Sequence, residues 1–221
     1  MIKLQKLAEP QILTDNGAEW TRLHLENIAN GVESTTYLKS RYNHSQIKDQ
    51  IVKETSEKCA YCESKLRHIH HGDIEHIFPK SLDESKRFEW NNLTLACEIC
   101  NQNKSNLDPM MNSILDPYID NPEISLFFCG PLAVGQDTKG ISTETIIGLN
   151  RTELIEQRKE RLEKIISIFQ HVNNLALPKN ARQAIYDNLK TIEASNSNAY
   201  TSMVMCTIEI FKPRLPNDIV A

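Results

Sequence analysis

Residues 59–62 read CAYC and residues 97–100 read CEIC, with 34 residues, 63 to 96, between the two pairs. Two residues between cysteines let both sulfurs reach one ion from a tight knuckle. Two knuckles supply four thiolates, the closed tetrahedral set of a structural zinc site. A lone CxxC would suit a redox pair; a second one argues for metal. Four unrelated buried cysteines are the plainer alternative, and the repeated spacing argues against it. The expected zinc ligands are therefore Cys59, Cys62, Cys97 and Cys100. With four thiolates such a zinc has no open position for substrate, so any chemistry must come from other residues. Cys129 and Cys206 stand outside the pattern and read as small buried hydrophobes.

The surroundings fit a reducing compartment. The chain has 221 residues, 40% hydrophobic and 24% charged, with a formal net charge of −4. That is the composition of an ordinary globular protein with a core of its own. No apolar run approaches the roughly 18–20 residues of a membrane helix. The start, MIKLQKLAEP, lacks the apolar core of a signal peptide. The expected location is the cytoplasm, with no membrane partner. A negative net charge also excludes a globally basic nucleic-acid binder, so any phosphate footprint must be a local patch.

The insert between the knuckles opens with DIEHIFPK, residues 73–80, continues through WNNLTLAC, and leads into CNQNK. Glu75 stands directly before His76, and Pro79 ends the short apolar run. Adjacent strand residues point to opposite faces. Glu75 and His76 can therefore serve one site only if the strand bends or ends there. Asp73 shares a face with Glu75 and is either a supporting acid or a solvated one. His68, His70 and His71 read as exposed loop residues or phosphate contacts.

Taken together, Glu75, His76, Ile77, Pro79, Asn92, Leu93, Cys97, Cys100, Asn101 and Lys104 resemble the pattern of the HNH, or ββα-metal, endonucleases. The likeness covers about residues 57–106. It implies a mostly helical α+β fold, with a small zinc-stapled ββα-metal core flanked by N-terminal and C-terminal helices. It implies His76 as general base, and Glu75 and Asn101 as holders of a catalytic Mg²⁺ or Mn²⁺. Asn92, or else Asn91, would orient the base, and Lys104 would lean on a substrate phosphate. Two positions depart from the commoner pattern: the acid is glutamate rather than aspartate, and Asn101 replaces a histidine.

The later stretches ILDPYIDNPE and TIIGLNRTELIEQRKERL extend the likeness over most of the chain. There it resembles the HNH-subunit (PtuB) family of Septu-type anti-phage systems, which also occurs with retrons. That resemblance implies DNA as substrate, an ABC/SMC-like ATPase partner of the PtuA type, and a role in defence. The alternative from another class is a zinc-stapled nucleic-acid or protein-binding module without nuclease activity. A scaffold within a larger complex is compatible with either.

Periodicity sets the organisation. Residues 1–45 form an N-terminal helical extension, a candidate partner-binding region, with Trp20, Leu23, Leu25 and Ile28 on one weak helix. Residues 46–125 hold the nuclease core, entered by a helix over 45–56 with Ile47, Ile51 and Val52 inward. Asp108-Pro109 and Asp116-Pro117 break any long helix there. Residues 126–221 combine short strands with helices. ISLFFCGPLAVG and ISTETIIGLN read as two strands. A long helix follows, with Leu154, Arg158, Leu162, Ile165, Ile166, Phe169 and Val172 at three-four spacing. Asn150 is its expected N-cap, with Glu153 completing a capping box. Two more helices are expected over 181–194 and 200–211.

Overall fold

The computed structural model describes residues 1–66 and 72–220. His68, His70 and His71 lie outside the described residues.

The chain is mostly helical, as expected. Pro10, with φ −66°, leads into α1 (Gln11–Ala29). The buried face of this helix is Leu13, Gly17 and His24, with Trp20 half-buried beside them. Leu23, Leu25 and Ile28 of the same helix are exposed. The core selects the 13-17-20-24 stripe, which follows three-four spacing, and the other apolar residues fall off it. A short α2 (Thr36–Lys39), capped by the Thr35 hydroxyl, and α3 (Ser45–Glu54) complete the N-terminal layer. Ile47 and Ile51 of α3 are fully buried.

Strands β1 (Asp73–His76) and β2 (Leu93–Ala96) pair antiparallel, with Glu75 opposite Thr94 and His76 opposite Leu93. Helix α4 (Glu98–Lys104) follows β2 directly. This strand-strand-helix unit is the expected core, and its strand ends at His76.

After α5 (Pro122–Ser125), a hairpin of β3 (Leu126–Cys129) and β4 (Leu132–Gly135) forms within the first of the two stretches expected to be strands. The second stretch is helical: α6 spans Thr138–Ile147. Its β-branched composition suggested a strand, but both ends are fixed as a helix. Asp137 accepts from the Gly140 N–H at 2.7 Å, and Gly148 closes the helix at φ 68°. A residue with a Cβ is strained at that angle.

Helix α7 (Thr152–Asn173) begins four residues after Gly148. Asn150 does not cap it. Its side chain is committed to both backbone groups of Ala133 and to Glu144, which ties β4, α6 and α7 together. Arg158 of α7 is buried and donates to the Leu149 carbonyl at 2.6 Å. Helix α8 (Lys179–Asn188), a π-turn over Leu189–Glu193, α9 (Thr201–Phe211) and α10 (Asn217–Val220) complete the chain.

One contiguous apolar core joins α1 and α3 to β2, then to α6, α7 and α9. Cys206 is half-buried at its margin; Cys129, expected inside, is exposed on the hairpin. Among the described residues, no helix is long and apolar enough to cross a membrane.

Candidate active site and thiolate cluster

The two knuckles meet. The sulfurs of Cys59, Cys62, Cys97 and Cys100 all lie within 4.8 Å of one another. The first knuckle is tied to the sheet by Ala60 N–H donating to the Leu95 carbonyl at 2.8 Å. The second begins α4, where Cys97 caps the helix by accepting from the Cys100 N–H. A tetrahedral ion bonded to sulfur at about 2.3 Å sets ligand sulfurs about 3.8 Å apart. Cys62 and Cys97 stand 3.9 Å apart. The four residues thus suit a structural zinc in donor type and in separation.

Sequence reasoning missed a fifth member. Arg151, at the start of α7, points its guanidinium at Cys62, Cys97 and Cys100, at 3.6–3.8 Å. Four thiolates around Zn²⁺ carry a net −2, and Arg151 offsets part of it. Beneath the first knuckle, Glu63 is buried with Lys58 3.7 Å away, and Lys58 in turn donates to Thr201 of α9. These contacts bind the knuckles to the C-terminal helices.

The second site lies on the same strand-strand-helix unit. Glu75 and His76 at the end of β1, and Asn101 of α4, line an open cleft of about 340 Å³ together with Lys80. The strand end resolves the opposite-face problem: both side chains border the same opening.

His76 is buried and held from two directions. Its Nε2–H donates to the Arg87 carbonyl at 3.0 Å. Its ring meets Tyr42 edge-on, with centroids 4.7 Å apart and planes at 77°. With Nε2 carrying the proton, Nδ1 presents a lone pair. Burial, and then the charge of Lys80, push the His76 pKa down to about 3. The imidazole is therefore neutral at physiological pH, the state a proton acceptor needs.

Asn92, expected to orient His76, does not touch its ring; the Arg87 carbonyl does. Asn92 bridges a loop instead. Its Oδ1 accepts from Phe78 N–H at 2.7 Å, and its Nδ2 donates to the carbonyls of Phe78 and Lys86. Asn91, the alternative to Asn92, lines a separate groove with Phe78 and Met110. Arg87 itself is anchored by Glu84 at 2.7 Å, by His24 of α1 and by the Lys39 carbonyl of α2. The N-terminal helices thus hold the residue whose carbonyl meets His76.

Lys104 is fully buried. Its Nζ lies 2.7 Å from Glu75 Oε1 and donates to the His76 carbonyl at 3.0 Å. It sits behind Glu75 rather than at the cleft surface where a phosphate would reach. Burial raises the Glu75 pKa, while Lys104 works against that rise. Asn101 donates through Nδ2 to Asp73 Oδ2 at 3.3 Å. This commits its nitrogen and leaves the carbonyl oxygen for a ligand. Asp73 is thus a supporting acid. Glu75 and Asn101 together offer oxygen donors of the kind hard divalent ions take.

A neutral imidazole with one nitrogen held by a carbonyl, an adjacent acid, and an amide from the helix that carries the second knuckle border one cleft. Residues 59–107 match the family model of the HNH endonucleases. That span contains both cysteine pairs, Glu75, His76, Asn92, Asn101 and Lys104. Over a longer span, the chain is similar to Septu protein PtuB of Bacillus thuringiensis, 26% identical over 182 residues, covering 78% of this chain and 67% of that protein. It is likewise similar to Septu protein PtuB of Bacillus mycoides strain KBAB4, 27% identical over 194 residues, covering 72% and 66%. The chain spans about two thirds of the length of these relatives.

Proposed function

We propose that the chain is a metal-dependent HNH DNA endonuclease, the nuclease effector of a Septu-type anti-phage complex with an ATPase partner. The observation that carries this reading is His76: a neutral imidazole whose Nδ1 lone pair borders a cleft beside Glu75 and Asn101.

The residues divide the work. His76 Nδ1 takes a proton from the attacking water. The Arg87 carbonyl fixes the ring and carries part of the positive charge that forms on it. Water oxygen bonds to phosphorus as the bond to the 3′ oxygen breaks, and that electron pair leaves with the 3′ oxygen, which takes a proton from solvent. Glu75 and Asn101 would hold Mg²⁺ or Mn²⁺, and Lys104 keeps the Glu75 carboxylate in place. A divalent ion bound there supplies charge neutralisation for the phosphate and the leaving oxygen.

The partner reading rests on the PtuB likeness and on two features of the chain. The net charge of −4 gives little general attraction to DNA. Leu23, Ile28 and Val32 leave apolar surface exposed in and just after α1. A partner that supplies DNA affinity or control would cover the second and compensate for the first.

The test is plasmid cleavage by the chain co-purified with its genomic neighbour, comparing wild type with His76→Ala at matched folded fraction. The expected loss is about 10²–10⁴-fold, the usual contribution of a positioned base. A folded His76→Ala preparation that cuts at the wild-type rate would end this assignment.

A further inference from the structure

The charged groups around the cleft are mutually satisfied, with one exception. Glu75 is paired with Lys104 at 2.7 Å, Asp73 with the Asn101 amide at 3.3 Å, and Glu84 with Arg87 at 2.7 Å. Lys48 donates to the Gly72 carbonyl at 2.9 Å. Lys80 is left over. Among the described residues, no carboxylate lies within ion-pair distance of its Nζ. Its contacts are His76 Nδ1 at 3.4 Å, long for a hydrogen bond, and the face of the Tyr42 ring at 5.2 Å. A half-buried ammonium without an anion is a costly arrangement. Here it stands at the wall shared by two clefts, one bordered by His76 and Asn101, the other by Tyr42 and Asp73.

We propose that Lys80 is the cation that receives the substrate phosphate, and that in the free protein it covers the lone pair of the base. This rests on the nuclease reading of the same cleft. Arrival of a phosphodiester gives Nζ the anion it lacks and draws it from Nδ1, which opens that nitrogen to water. Lys104 cannot play this part, since it is buried and committed to Glu75 and the His76 carbonyl. The ligand class is the phosphate diester of a nucleic-acid backbone, read as charge without base sequence.

The test uses Lys80→Ala and Lys80→Arg in the full chain co-purified with its genomic neighbour, each in the native and in the His76→Ala background, with zinc content and melting verified first. Binding of a labelled duplex oligonucleotide is measured without divalent ion over a series of salt concentrations. In the His76→Ala background, Lys80→Ala should weaken binding and flatten the slope of log K against log salt by about 0.9, one phosphate contact. Lys80→Arg should keep the slope. In the native background, Lys80→Ala should lower kcat/KM, with Lys80→Arg restoring part of it. If wild type fails to cut with Mg²⁺ or Mn²⁺, the nuclease reading falls while the binding slope still judges Lys80. An unchanged slope in well-folded Lys80→Ala would overturn the proposal. So would faster cutting with an unchanged slope, which would make Lys80 only an obstruction. Absence of measurable duplex binding at low salt would overturn it as well.

Discussion

The thiolate cluster and the His76 cleft share two strands and one helix, yet they are opposite kinds of site. Cys100 and Asn101 are neighbours in α4; one faces the knuckles and the other the cleft. In the cluster every ligand is sulfur, the set is closed at four, and Arg151 seals the outside. In the cleft the donors are oxygen and nitrogen, and the wall is open. Soft donors in a closed set hold a fold together. Hard donors at an open wall, beside a neutral imidazole, leave room for an exchangeable ion and a substrate. The same short helix serves both because its first turn ends one site and its second begins the other.

Breaking the cluster should have the largest effect. Cys97→Ser removes one ligand and the cap of α4, and structural zinc sites carry about 10–16 kcal/mol of binding free energy that is also folding free energy. Loss of zinc by elemental analysis, with loss of cooperative melting, is the expected result. Glu75 tests the cleft at lower cost. Glu75→Ala strands buried Lys104 without a counter-charge, a loss of about 3–5 kcal/mol in stability. Urea midpoints should show Glu75→Gln losing clearly less, while both variants lose cleavage; raised Mn²⁺ should help Glu75→Gln more.

Arg87→Ala probes the support of the base. It releases the contacts to Glu84, His24 and Lys39, so the carbonyl that aims His76 loosens. Cleavage should fall about 10–100-fold, the scale of lost outer partners, with zinc content unchanged. The smallest effect is on acid stability. The folded-state pKa of His76 is about 3, below its unfolded value of about 6.5. Between these values the unfolded chain binds the extra proton, so stability falls as pH falls from about 6.5 toward 3. Melting temperatures at pH 7 and pH 5 should differ more for wild type than for His76→Ala.

Much of this was legible in the sequence because side chains carry it. The paired CxxC spacing located the cluster, and the stretch from Glu75 to Lys104 located the cleft. What escaped lies in the backbone or in distant residues. The carbonyl that orients His76 belongs to Arg87, and a carbonyl has no signature in a sequence. Asn92 looked suited to that role by its chemistry, and the loop it bridges could not be read from spacing. Tyr42 and Arg151 reach the two sites from 34 and 51 positions away in the chain, counted from His76 and Cys100. The reading of 141–150 as a strand followed its Ile and Thr content; Asp137 and Gly148, a cap at each end, were the signal for a helix. Lys104 carried the right charge for a phosphate contact, and only burial shows that its partner is Glu75.

On the proposed reading, two metal sites of different chemistry sit on one small unit, one holding the fold and the other serving cleavage. A single preparation tests it. The chain, co-purified with its genomic neighbour, is freed of loosely held divalent ions by gel filtration, and its zinc content and plasmid cleavage are measured before and after Mg²⁺ or Mn²⁺ is returned. The expected result is about one zinc per chain throughout, no cleavage after filtration, and cleavage restored by the added ion. Full cleavage without any added ion, or a folded chain without zinc, would contradict it.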